Sequence, residues 1–178
     1  TAYVMNWQLR ELSLRIQEKE QSGAEVRKYM MEPDLFGIIR KKMELKEINV
    51  NDYSPLTLAY IGDGIYEIVV RTIIVDEANR QVNKIHKASS QLVKAQSQAK
   101  MIHLIMDMLT EEEKSIYKRG RNAKAVTRAK NASMSDYRVA TGFEALMGWL
   151  YLSGQSDRMM ELMKTGIELF KQDNIKEV

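Results

Sequence analysis

At 178 residues, with 44% hydrophobic and 29% charged residues, the chain has the size and make-up of one globular domain around a single core. Lys and Arg (27) barely outnumber Asp and Glu (24), so net charge alone selects no partner class. The lack of cysteine excludes a disulfide scaffold and a thiolate zinc site, residues 1–20 hold no apolar run of signal-peptide length, and no stretch of the chain reaches membrane-span length. A cytoplasmic protein with no membrane partner is the expectation.

Apolar residues recur at helical spacing along the whole chain. Residues 7–19 read as a polar amphipathic helix, and 33–42 as a short one with Leu35, Ile38 and Ile39 on one side. The only two prolines, Pro33 and Pro55, sit where helices should start. Residues 49–54 form a polar connector, and Ser54 caps a long apolar helix running to about residue 78. Residues 83–108 give a helix pair or one long helix, with Ile85, Leu92, Val93, Ile102 and Ile105 facing the core. Thr110 and Glu113 make a capping box that opens a short helix to about residue 119. Residues 120–135 lack periodicity. Ser135 opens another apolar helix to about residue 152, and 157–170 forms the last. Ile73 to Val75, the one β-branched run, continues a helical pattern. The predicted fold is therefore all-α, a helical bundle, with residues 1–45 as a helical extension of unknown role and 46–178 as the functional domain.

Acids are scarce in the two most apolar helices. Between residues 56 and 74 the only ones are Asp63 and Glu67, and between 137 and 154 the only one is Glu144. An ionised carboxylate on a buried helix is costly unless a base or a cation compensates it. Gly62 and Gly64 flank Asp63, and Gly142 and Gly148 flank Glu144. A glycine inside a helix costs about 1 kcal/mol relative to alanine, which close approach of another backbone or a ligand can offset. Two such helices could cross and bring the acids together as oxygen ligands for Mg²⁺. Each acid could equally pair with a buried Arg or Lys. Glu67 in particular has Arg71 four residues on, the favourable order for a helical ion pair.

The run Leu56-Thr57-Leu58-Ala59-Tyr60-Ile61-Gly62-Asp63-Gly64 resembles the signature helix of the ribonuclease III superfamily. Phe143-Glu144-Ala145-Leu146-Met147-Gly148 resembles the family's second motif, a Glu-Ala-x-x-Gly helix. With His86-Lys87-Ala88-Ser89-Ser90 and Lys118-Arg119-Gly120-Arg121-Asn122-Ala123-Lys124 between them, the order and spacing are closest to the Mini-III subgroup, over about residues 54 to 165. That form is an endonuclease domain without a separate double-stranded RNA-binding domain. The resemblance implies a ribonuclease III-type catalytic domain at residues 46–178 and a metal-dependent endoribonuclease acting on double-stranded RNA. It also implies a homodimer, with a ribosomal RNA precursor as natural target. Asp63 and Glu144 carry over as catalytic residues and ligands of Mg²⁺, with Mn²⁺ as a substitute, and Glu67 is a possible third carboxylate. The sequence departs from the larger enzymes at Leu56 and Ala59, which stand where they have glutamates, and at Thr141, where they have an acid. The alternative reading is an inactive double-stranded RNA-binding module of the same fold.

Six basic residues and no acid lie between positions 118 and 130. Gly120 and Asn122 among them suggest a loop, and Lys/Arg neutralisation of phosphates dominates affinity for nucleic acid. A solvated charged loop is the other reading of this run; the Mini-III resemblance implies that Lys118, Arg119, Arg121, Asn122 and Lys124 are the RNA-binding set, joined by His86 and Lys87. His103 has no acid or second histidine at metal-ligand spacing and reads as a surface residue. The 12 methionines, such as Met101, Met106 and Met163, read as core or interface filler.

Overall fold

The computed structural model describes residues 35–77, 81–123 and 133–176. These form seven α-helices and two short 3₁₀ turns, with no strand among them. The chain divides into two units, Thr1–Lys42 and Met43–Val178. Helix α1, Leu35–Lys42, belongs to the first. It puts Leu35, Ile38 and Ile39 on one side by i, i+3, i+4 spacing. The helix expected at residues 7–19 lies outside the described residues.

The second unit is built on two crossing helices, α2 (Pro55–Glu77) and α6 (Met134–Leu152). Ser54 Oγ accepts from the Thr57 backbone N–H at 3.1 Å and so caps α2, as its position before Pro55 predicts. The polar connector ahead of it contains a 3₁₀ turn, Val50–Asp52, where Asn49 Oδ1 accepts from the Asn51 N–H. Trp149 Nε1 on α6 donates to Asn51 Oδ1 at 3.3 Å, which ties this connector to the core.

The segment expected as one or two helices is a pair, α3 (Val82–Val93) and α4 (Ala95–Leu104), broken at Lys94. Ser97 Oγ donates to the Gln91 carbonyl at 2.6 Å across the break and fixes the joint. Leu92, Ile102 and Ile105 are buried as expected, whereas Ile85 and Val93 are only half-buried. Tyr66 links three helices. Its ring meets Phe143 of α6 edge-on, with centroids 5.2 Å apart, and its hydroxyl donates to the Leu92 carbonyl at 3.2 Å. Such an aromatic pair contributes about 1 kcal/mol beyond its buried area.

Helix α5 (Glu111–Asn122) opens on the predicted capping box. Thr110 Oγ1 accepts from the Glu113 N–H, and Glu113 Oε2 accepts from the Thr110 N–H at 2.8 Å. The helix ends three residues later than the sequence reading placed it. Ile116, Tyr117 and Gly120 continue one buried face for a further turn against α6, and that packing outweighs the low helix propensity of glycine. Helix α6 starts one residue earlier than expected. Ser133, not Ser135, caps it by accepting from the Asp136 N–H at 3.0 Å. Helix α7 (Ser156–Lys176) packs on α4 and α6 and outlasts its predicted end at residue 170. Met101 and Met163 are buried and Met106 is half-buried.

Candidate metal centre and basic helix end

The two lonely acids lie beside a close crossing of α2 and α6, near enough for the charge of Asp63 to act on Glu144. A β-carbon added at Gly62 would stand 1.8 Å from the Glu144 carbonyl oxygen, and one added at Gly148 would stand 2.0 Å from the Leu58 carbonyl oxygen. Real atoms cannot approach so closely, so α2 and α6 touch backbone to backbone only because both positions lack a side chain. Asp63 follows Gly62 directly, and Glu144 lies one turn before Gly148. The other two glycines serve different ends. A β-carbon at Gly142 would meet the Tyr117 ring and backbone of α5, and Gly64 faces open space. Of the four glycines read as permitting close approach beside an acid, Gly62 and Gly148 are the pair at the carboxylates.

Asp63 is exposed, and Glu144 is half-buried. Among the described residues no Lys or Arg pairs with either. Burial raises the pKa of the Asp63 carboxyl, and the negative charge of Glu67 raises it further. Burial pushes Glu144 up to about 8, the charge of Asp63 adds to the rise, and the nearby Gln98 amide offsets part of it. Both acids therefore resist being charged together without a cation. Glu113 shows the contrast. It is the one fully buried acid among the described residues, and Arg158 holds it with Nε–Oε1 at 2.8 Å and Nη2–Oε2 at 3.0 Å. The hydrogen bond from Arg158 keeps its pKa below the usual carboxylate range. Glu67 also has a base, since its carboxylate accepts from Arg71 Nη2. Among the described residues no group of three acids or histidines could hold a metal ion. Asp63 and Glu144 are thus the two candidate oxygen donors that no base engages among the described residues, while Glu67 lies close enough to raise the Asp63 pKa and is itself bonded to Arg71. Two carboxylates with the remaining positions taken by water suit Mg²⁺, which keeps several of its waters.

The basic residues do not begin a loop, as their glycine and asparagine suggested. Lys118, Arg119, Arg121 and Asn122 occupy the last turns of α5, exposed on its outer side, while Lys124 lies outside the described residues. Gly120 between the two arginines is a packing residue. A β-carbon there would stand 2.6 Å from the Ala145 side chain, next to Glu144. The crossing of α5 on α6 thereby anchors the basic end beside the helix turn that carries the second acid. The Arg121 guanidinium lies 5.9 Å from the Tyr117 ring centroid, and its Nε donates to Asn122 Oδ1 at 3.4 Å. His86 and Lys87 are exposed on α3, and His103 is exposed in the last turn of α4. Arg138, exposed on α6 six residues before Glu144, is a further cation that sequence reasoning did not single out.

Gln98 was missed as well. It is 1% exposed and carries the one buried side-chain nitrogen without a hydrogen-bond partner among the described residues. Its signal was available: it lies four residues before Ile102 and seven before Ile105, on a face read as core.

Residues 56–155 match the Ribonuclease III domain family. The chain belongs to this family. Asp63, Glu144, Gln98 and the described basic residues of α5 all fall within the matched span. The Mini-ribonuclease 3 of Clostridium tetani (strain Massachusetts / E88) is 47% identical over 137 residues, which cover 76% of this chain and 87% of that relative. The Mini-ribonuclease 3 of Thermoanaerobacter sp. (strain X514) is 41% identical over 142 residues, covering 80% of this chain and 100% of that one. The X-ray crystal structure of protein FN1578 from Fusobacterium nucleatum matches with a TM-score of 0.61 and 29% identity, over 68% of this chain and 98% of the other. The ribonuclease III fold expected from the motifs is the one adopted.

Proposed function

We propose that this ribonuclease III-family endoribonuclease hydrolyses double-stranded RNA in a Mg²⁺-dependent reaction, as a homodimer in the cytoplasm, with a structured ribosomal RNA precursor as target. The observation that carries the reading is the pair Asp63 and Glu144, juxtaposed by the Gly62–Gly148 crossing and lacking any base among the described residues. Its relatives are named Mini-ribonuclease 3, which supports the Mini-III form. Asp63 and Glu144 would hold Mg²⁺, or Mn²⁺ in its place. Bound there, the ion would supply an activated water and stabilise charge developing on the phosphate. The chain's own part is to hold two carboxylates at a rigid crossing, exposed on the Asp63 side, so that a phosphodiester can reach them. Lys118, Arg119 and Arg121 offer cations to the flanking phosphates, together with Lys124, and His86 and Lys87 extend the contact. A-form RNA presents phosphates, 2′-hydroxyls and shape rather than readable base edges, so weak sequence preference is expected.

A dimer is supported by α2. Leu56, Tyr60, Gly64, Ile68 and Thr72 recur every four residues on one exposed stripe, and Tyr60 is 83% exposed. An apolar ridge of this kind on a central helix marks an interface. Light scattering at micromolar concentration is expected to give twice the chain mass, and a monomeric mass would remove the dimer from the proposal.

The basic end of α5 is tested by salt. Replacing Arg119, Arg121 and Lys124 with alanine is expected to weaken duplex RNA binding with fold and metal affinity intact. Loss of about three phosphate contacts makes the slope of log affinity against log salt shallower by roughly two to three units, taking duplex DNA as guide. An unchanged slope would return these residues to a solvated helix end. Cleavage of perfect duplex RNA with and without Mg²⁺ separates the enzyme from an inactive RNA-binding module of the same fold.

A further inference from the structure

The Gln98 side chain is buried against α6 with its donor unused. A buried amide nitrogen without an acceptor is destabilising, and native folds rarely tolerate one without a reason. Its surroundings on α4 are apolar, with Ala99, Met101 and Ile102 buried beside it, and the Ser97 hydroxyl is engaged with the Gln91 carbonyl at the α3–α4 joint. Helix α4 packs on α6, the helix that carries Glu144. The buried Gln98 amide favours the charged form of the Glu144 carboxyl, yet its Nε2 completes no hydrogen bond.

We propose that Gln98 is a positioning residue that orients the Glu144 carboxylate and completes its hydrogen bond when that carboxylate takes up a divalent cation. The inference rests on the reading of Asp63 and Glu144 as the metal centre. A glutamine suits the task chemically. Its amide carries no charge and so does not compete with the cation as an Arg or Lys would. Held through one oxygen by Gln98, the Glu144 carboxylate keeps the other for the ion. Carboxylates that bind metals are commonly steadied by such a partner, and loss of the partner typically lowers metal affinity by 10- to 100-fold. The unused donor is then the mark of a site organised for a charged carboxylate and a cation together.

The test is Gln98→Met, which keeps length and apolar contact but removes the donor. Binding is read as the rise in melting temperature with Mn²⁺ alone, without RNA. Gln98→Met is expected to melt no lower than the parent in metal-free buffer, because an unpaired donor has been removed. It is expected to need roughly ten to a hundred times more Mn²⁺ for half its thermal shift. The Mg²⁺ concentration for half-maximal cleavage should rise in parallel, with KM for duplex RNA at saturating metal unchanged. A folded Gln98→Met protein with half-saturating Mn²⁺ within twofold of the parent would overturn the role. So would a lower melting temperature with unchanged Mn²⁺ affinity, the pattern of a purely structural residue. Side-chain amide NMR on the unmutated protein keeps the proposal testable if the variant does not fold. The Gln98 side-chain protons should shift downfield on adding Mg²⁺ in the parent but not in Glu144→Gln, and unmoved resonances in the parent would overturn the proposal. Failure of the underlying metal site is distinguishable: parent and Glu144→Gln would then respond alike to Mn²⁺, and both proposals would fall.

Discussion

Asp63→Asn and Glu144→Gln are each expected to abolish cleavage of duplex RNA while leaving the dimer and RNA affinity in place. A neutral amide keeps the shape of the carboxyl but loses most of its attraction for Mg²⁺, and the activated water is lost with the ion. Stability separates this from the reading in which the acids are halves of buried ion pairs. Removing one partner of a buried pair strands a charge and costs roughly 3–5 kcal/mol. Asp63 and Glu144 have no such partner among the described residues, so the opposite sign is expected. The Glu144 pKa is raised in the fold from its ordinary 4.5 to about 8. A raised carboxyl contributes stability when protonated, and that contribution is lost as pH climbs from about 4.5 through 8. In metal-free buffer the parent should therefore lose melting temperature over this range, and Glu144→Gln should match or exceed it at the alkaline end. Mg²⁺ should restore the parent at high pH and have little effect on the mutant. Glu67→Gln is the internal control: Glu67 is bonded to Arg71, so the substitution should retain measurable cleavage. Full activity in a folded Asp63→Asn or Glu144→Gln protein would remove that residue from the metal site.

Gly62→Ala is expected to be the most damaging single-methyl change in the domain. The added carbon would lie 1.8 Å from the Glu144 carbonyl oxygen and 2.7 Å from the Gly148 nitrogen, both backbone atoms of a helix packed on other sides. Neither can turn aside as a flexible side chain would, so α2 and α6 must separate. Overpacking typically costs 1–3 kcal/mol, and a backbone obstacle belongs at or above the top of that range. At about 2–4 °C per kcal/mol for a chain of this size, the melting temperature should fall by about 6–12 °C or more. Cleavage by any folded fraction should fall too, because the same separation moves Asp63 from Glu144. Gly64→Ala, two residues away, has nothing within 4 Å and should be neutral or stabilising for the subunit, since alanine favours a helix by about 1 kcal/mol. Equal melting temperatures for the two variants would contradict the close crossing. A loss of dimer confined to Gly64→Ala would place that glycine at the subunit contact.

Local rules carried much of this protein. Helical spacing of apolar residues, the Ser54 cap before Pro55 and the Thr110–Glu113 box each depend on neighbours a turn away, so residue order was enough to read them. Scarcity of acids on apolar helices likewise marked Asp63 and Glu144, because burying an unpaired carboxylate is costly wherever the helix lies. Three things depended on contacts distant in sequence. Which glycines mattered was decided by the α2–α6 crossing, which needs Gly62 and Gly148 and leaves Gly64 unused. The fate of the basic run was decided by α5 packing on α6, which carried the helix through Gly120 to Asn122 where local propensity suggested a loop. Gln98 acquired significance only when α4 was laid against α6, 46 positions away from Glu144 in the sequence. A side chain's periodicity shows which face it occupies, but the atom opposite is supplied by another helix, and only tertiary packing fixes that partner.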